Sequence, residues 1–340
     1  ESCLDRVRQV YVCGATGARA ECAGGLRGGI FDGRGAEDKA SRTLISAGAR
    51  GRYETPLSEE QSREASRQST MGEDRRVRRY QELVIGAGAL AAVYATSRHS
   101  YLLFHALAET FGVVVALSIF VIAWNARAFY DNAYLLLIGV ASFFLGILGV
   151  LHMLAYRGMG IFGAGEANLA TQLWIAARGM ESVSYLLAPL VLGRRPRPIV
   201  LFLLGAVLTG LLLASIFVWS VFPVSFVDAP GGGLTRFKIV SEYAIAAVFG
   251  AGLALLRRRR RAFDPAVVRF LSAALVAAIV AEIAFTKYAS VYGFANLLGH
   301  LLRIVSLYLV YKAIVQTALV RPYGLLFREL QQRERDLRVA

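Results

Sequence analysis

Cysteine is scarce, and its placement removes the chemistry it would otherwise suggest. The three in the 340-residue chain are Cys3, Cys13 and Cys22, all near the start; their spacing fits no zinc pattern and three cannot pair completely. Charged residues are thin, at 18%. No apolar stretch of a secretory leader opens the chain. No nucleophile, base and orienting group recur at a catalytic spacing, so no enzymatic activity is expected. The net charge is +14, yet the arginines form no clustered face of the kind that tracks phosphates. They divide between the N-terminal tail and short loops, so nucleic acid is not an expected partner.

What is abundant is apolar sequence. Hydrophobic residues make up 56% of the chain and the mean hydropathy is +0.50, with the excess concentrated after Leu83. Successive apolar stretches of roughly 15 to 25 residues have the length a helix needs to cross a bilayer. The expected fold is therefore all-α: a polytopic transmembrane helical bundle of about eight spans with a disordered basic N-terminal tail. The expected divisions are a tail over residues 1–82, a membrane sensor domain over 83–320 and a cytoplasmic helix over 321–340. The tail is rich in Arg, Gly, Ser and Ala without a sustained period. Met71, just ahead of the first apolar run, is the expected biological start. Two glycine strings imitate nucleotide-binding turns, Cys13 to Ala20 (CGATGARA) and Val84 to Ala91 (VIGAGALA), but neither sits in a strand–turn–helix unit. The second is expected to let membrane helices approach closely.

The expected spans are Leu83 to Ser97, Leu102 to Trp124, Ala133 to Ala155, Leu169 to Leu192, Pro198 to Phe222, Phe237 to Leu256, Val267 to Ala289 and Ala295 to Leu319. An even count places nine basic loop residues, including Arg194 and the run Arg257 to Arg261, on one side. Five face them, among them Arg157, Lys238 and Lys287. The richer side is cytoplasmic by the positive-inside rule, and so are both termini. Trp124, Trp174 and Trp219 read as interfacial anchors.

Ionisable residues within spans cost roughly 2.5 to 3.5 kcal/mol each on insertion scales, so they need partners or a purpose. His105 and Glu109 share a face of the second span, His152 ends the third, and Glu242 and Glu282 lie near the outer ends of the sixth and seventh. In the eighth, Asn296, His300 and Arg303 make one polar stripe. Arg178 and Glu181 lie nearer the middle of the fourth. These residues are expected to gather in the extracytoplasmic half and to line a pocket for a small ligand, protons, a metal ion or a haem. His105, His152 and His300 are the metal candidates. Buried pairs that merely fix helix packing are the competing expectation.

Several ordered strings resemble a known family: Phe104 to Glu109 (FHALAE), Leu151 to Gly160 (LHMLAYRGMG), Asn168 to Arg178 (NLATQLWIAAR), Phe237 to Tyr243 (FKIVSEY), Val291 to His300 (VYGFANLLGH) and Arg321 to Leu330 (RPYGLLFREL). Together, over about Leu83 to Leu330, they look like the third type of membrane-associated sensor domain, a bacterial multi-spanning input module. The resemblance implies location in the bacterial inner membrane and a role in signal transduction. It also implies a cytoplasmic output partner, such as a histidine kinase or diguanylate cyclase, joined on the C-terminal side. The tail has no counterpart in that pattern, and the output module is expected to lie outside these 340 residues. Leu326, Leu330 and Leu337 recur at four and seven residues, the spacing of a signal-transmitting helix that would pair in a homodimer or lie on the membrane. Competing expectations are a small-solute permease, or a membrane electron carrier holding haem or metal.

Overall fold

The computed structural model describes residues 59–127, 133–162, 167–194, 196–230, 232–287, 293–320 and 333. The chain divides into two units, Glu1–Ser69 and Thr70–Ala340. Of the first, only residues 59–69, the beginning of helix α1, are described. Residues 1–58, with the three cysteines and CGATGARA, lie outside the described residues. So do Leu326, Leu330 and Leu337.

Eight α-helices follow one another among the described residues: α1 (Glu59–His99), α2 (Tyr101–Ala126), α3 (Ala133–Ala155), α4 (Ala167–Leu187), α5 (Pro198–Phe217), α6 (Arg236–Arg258), α7 (Pro265–Phe285) and α8 (Phe294–Val315). A two-residue hairpin, β1 (Phe226–Val227) with β2 (Gly233–Leu234), interrupts the α5–α6 connection and is antiparallel. Helix starts are written locally. Ser100 Oγ accepts from Leu103 N at 3.3 Å, Thr235 Oγ1 from Lys238 N at 3.2 Å, and Asp264 Oδ1 from Ala266 N at 2.7 Å, each satisfying an amide the first turn would leave unpaired. Pro198 and Pro265 occupy first-turn positions where no amide hydrogen is needed.

Six helices close into a ring. α2 packs on α3, α3 on α4, α4 on α6, α6 on α7, α7 on α8, and α8 returns to α2. α5 stays outside, against α3 and α4, burying only Thr209 and Ile216 fully. Among the described residues six helices, α2, α3, α5, α6, α7 and α8, are long and apolar enough to cross a membrane, against about eight expected. α4 falls short because it is the polar member of the ring, with Thr171, Gln172, Arg178, Glu181, Ser182 and Ser184 all buried inside the protein. Its neighbours, not lipid, are its solvent.

The other departure is α1. It begins at Glu59, so that residues 59–82, expected as disordered tail, continue into the apolar stretch as one helix. Glu, Gln, Arg and Ala are good helix formers, and their preference prevails although the segment has no apolar period to announce it. Gly86 and Gly88 have nothing within 4 Å of where a Cβ would stand, so they do not serve the close helix approach expected of them. That role belongs to Gly139, where α3 meets α2: a Cβ there would stand 2.2 Å from Ala123 Cβ. Gly139→Ala should therefore force the two helices apart and cost about 1–3 kcal/mol. Thermal unfolding of the purified full chain in detergent checks this, with Gly86→Ala, which meets nothing, as the control expected not to destabilise.

Candidate functional site

The charged and histidine side chains expected inside the membrane converge at one end of the ring. This is the end formed by the starts of α2, α4, α6 and α8 and the finishes of α3 and α7. His105, Glu109, His152, Glu242, Glu282, Asn296, His300 and Arg303 are all buried there, and Arg178 and Glu181 lie a turn or more deeper on α4. All ten expected residues are thus brought into one interior.

Two sub-networks fill it. The first is ionic. Arg178 pairs with both Glu181 and Glu282, and Lys238 pairs with Glu242, one turn on along α6. Trp174 Nε1 donates to Glu242 Oε1 at 3.1 Å, joining α4 to α6. The second is aromatic and imidazole-based. His105 stacks on Tyr156 with ring centroids 3.5 Å apart, and Asn296 Nδ2 donates to Tyr156 Oη at 3.3 Å. His105 Nε2 is 3.3 Å from His152 Nε2, and His152 Nδ1 is 2.8 Å from the Ala170 carbonyl. His300 Nδ1 lies 3.1 Å from Glu109 Oε1, within ion-pair reach. This contact couples α8 to α2.

Trp174 is the hub between the two. Its ring meets those of His152 at 5.3 Å and His300 at 5.4 Å, and the Arg303 guanidinium lies 4.7 Å from its centroid. The residue is 4% exposed, so it is a core residue and not the interfacial anchor expected. Lys238 is a second correction. Counted as an outer-loop cation, it lies inside α6 at 1% exposure. The missed signal is helical spacing: Trp174 and Arg178, and Lys238 and Glu242, each stand four apart and so share a face.

The three histidines lie close together, with His105 beside both His152 and His300. His152 is anchored through Nδ1 to the Ala170 carbonyl, and one ligand atom from each of His105, Glu109 and His300 lies within 4.8 Å of the others. The 3.3 Å gap between His105 and His152 is too narrow for iron between them, which needs about 4 Å at roughly 2 Å per metal–nitrogen bond. As placed, this pair does not fit haem.

Close packing sets the local geometry. A Cβ on Gly299 would stand 2.4 Å from the Phe285 ring, so only glycine lets α8 approach α7 beside His300. The α5–α6 hairpin ties down the α4 end of the site. Asn168 Oδ1 accepts from Ser225 N at 2.8 Å and Phe226 N at 3.2 Å, and Asp228 Oδ2 accepts from Ala167 N at 2.7 Å. Asp228 also pairs with Arg157 at 3.1 Å. Beneath lies a small cavity bordered by His152, Trp174, Asn296 and His300, with room for a water-sized occupant. A second, deeper one runs from Glu109 and Arg303 toward Tyr185.

No curated protein and no solved structure gives a match to the chain. The family model MASE3, described as a membrane-associated sensor domain, matches residues 96–322. That range takes in α2 through α8 and every residue of the cluster. Five of the strings that carry the resemblance, from FHALAE to VYGFANLLGH, are also those that supply most of the cluster's residues. The sequence pattern and the helical membrane architecture agree: the chain belongs to the MASE3 family of membrane-associated sensor domains, and is a multi-pass membrane protein with a sensory input role.

Proposed function

We propose that the polar cluster at the end of the ring is the input site, and that a small polar signal acting there shifts the packing of α2, α7 and α8. The observation that carries this reading is a set of buried polar atoms left without hydrogen-bond partners. They are Nδ1 of His105 and Nε and Nη1 of Arg303. A buried polar group without a partner costs about 1–3 kcal/mol, more when charged. A cluster that exists only to fasten helices would be expected to satisfy its members. The cavity beside it favours a proton, an ion or a small solute over a larger organic molecule.

α8 carries the change onward. His300 and Arg303 sit near its start, and its far end passes into a π-helical turn, Gln316–Val320, the kind of irregularity often found at functional positions. In this reading an output module such as a histidine kinase or diguanylate cyclase lies beyond it. Both termini are cytoplasmic, the cluster faces the outside, and the membrane is the bacterial inner one. A ligand shifts such an equilibrium only by its differential affinity for the two arrangements.

The test is a full-length receptor carrying this domain. Glu109→Gln, His105→Ala and His300→Ala should each abolish the response to stimulus, with expression and membrane insertion unchanged. Normal responses in all three would overturn the reading.

A further inference from the structure

The hydrogen-bond network assigns a different fate to each nitrogen of His105. A carbonyl oxygen only accepts, so the 2.8 Å contact with Ala170 puts the proton of neutral His152 on Nδ1 and leaves a lone pair on its Nε2. His105 Nε2, 3.3 Å away, therefore donates to that lone pair. Neutral His105 then has its own lone pair on Nδ1, which is buried and has no hydrogen-bond partner. Glu109 Oε1 and His300 Nδ1 are buried as well and stand 3.1 Å from each other. The same three residues present ligand atoms within 4.8 Å of one another, contributed by α2 and α8.

We propose that His105, Glu109 and His300 bind one divalent transition-metal ion of the zinc class. This rests on the reading of the cluster as the input site and names what that site takes. Two imidazoles and one carboxylate form a donor set that suits zinc and leaves a fourth position open. His152 and the Ala170 carbonyl supply the support a ligating histidine needs, by fixing which nitrogen of His105 keeps its lone pair. Charge agrees with a cation. The buried ionisable groups comprise Arg178, Lys238 and Arg303 against Glu109, Glu181, Glu242 and Glu282, one carboxylate in excess among the described residues. Arg303, which interacts electrostatically with Glu109, has two unpartnered N–H groups suited to an anionic or water ligand in the open position.

Coupling to packing follows from bond lengths. Ligand atoms about 2.05 Å from a tetrahedral metal stand about 3.3 Å apart, closer than the 4.8 Å that bounds them here. The His300 Nδ1–Glu109 Oε1 contact, at 3.1 Å, already has that spacing, so any tightening on binding falls between His105 and that pair.

The experiment uses the full chain, purified in detergent, stripped with chelator and dialysed against Zn2+, with Co2+ as an optical probe. The expected result is about one Zn2+ per chain and a tetrahedral Co2+ spectrum. Glu109→Gln and His300→Asn should each weaken binding by more than about 100-fold. His152→Ala, which removes only the support, should keep the stoichiometry and weaken binding about 10- to 100-fold. Gel filtration shows whether each variant remains folded, and His152→Ala and the wild type carry the test if another does not. Monodisperse wild-type protein that takes up none of Zn2+, Co2+, Ni2+ or Cu2+ would overturn the proposal, as would undiminished binding in both ligand variants. Either result, with the receptor variants still silent, would reject the metal and leave the input site standing. Receptor variants that also respond normally would reject both.

Discussion

Arg178→Met is expected to lower the stability of the membrane domain by about 3–5 kcal/mol, because it leaves Glu181 and Glu282 buried without the cation that both pair with. Arg178 is 1% exposed, with Glu181 at 4% and Glu282 at 0%. The guanidinium also lies over the Phe249 ring, 5.0 Å from its centroid, so it is held by α6 as well as by α4 and α7. Unfolding of the purified chain, followed by heat or by titration of a denaturing detergent, reads the loss. Arg178→Met with Glu181→Gln and Glu282→Gln should recover most of it, since the cost arises from uncompensated charge and not from lost volume. A triple variant as unstable as the single one would show that shape, not charge, dominates at this position.

Lys238→Met should have an effect of similar size at the adjoining pair. It strands Glu242, which is 0% exposed and whose Oε1 also accepts the Trp174 indole N–H. Here the second substitution discriminates. Lys238→Met with Glu242→Gln keeps an acceptor for Trp174 and should restore most of the stability. Lys238→Met with Glu242→Met removes the charge but orphans the indole, leaving a deficit of about 1–3 kcal/mol. Equal recovery in the two double variants would remove Trp174 Nε1 from the account.

Most of the fold is legible in the apolar runs. The bounds expected for the third span, Ala133 to Ala155, are those of α3, and α2, α6, α7 and α8 begin within two residues of their expected starts. A bilayer-length stretch needs only to be counted. The fourth expected span is legible as a helix but not as the polar member of the ring, because hydropathy cannot tell a side chain facing lipid from one facing its neighbours. The site is half legible for the same reason. His105, Glu109, His300 and Arg303 stand out because ionisable groups in a greasy run are conspicuous. Lys238 and Trp174 do not: each sits near a helix end, where a loop cation and a belt aromatic are the ordinary readings. Only the fold, by seating α6 beside α4, turns both inward. The engagement of His152 with Ala170, eighteen residues on, depends on where α3 ends and α4 begins and has no counterpart in local spacing.

The composition of α4 also constrains how the chain is made. When α4 leaves the ribosome, Glu242 on α6 and Glu282 on α7 have not been synthesised, so Arg178 has only Glu181 of its own helix and Trp174 lacks its acceptor. A segment so poor in lipid affinity would not be released sideways into the membrane by itself. Its settling in the bilayer is favoured once α6 and α7 supply the carboxylates that Trp174 and Arg178 engage.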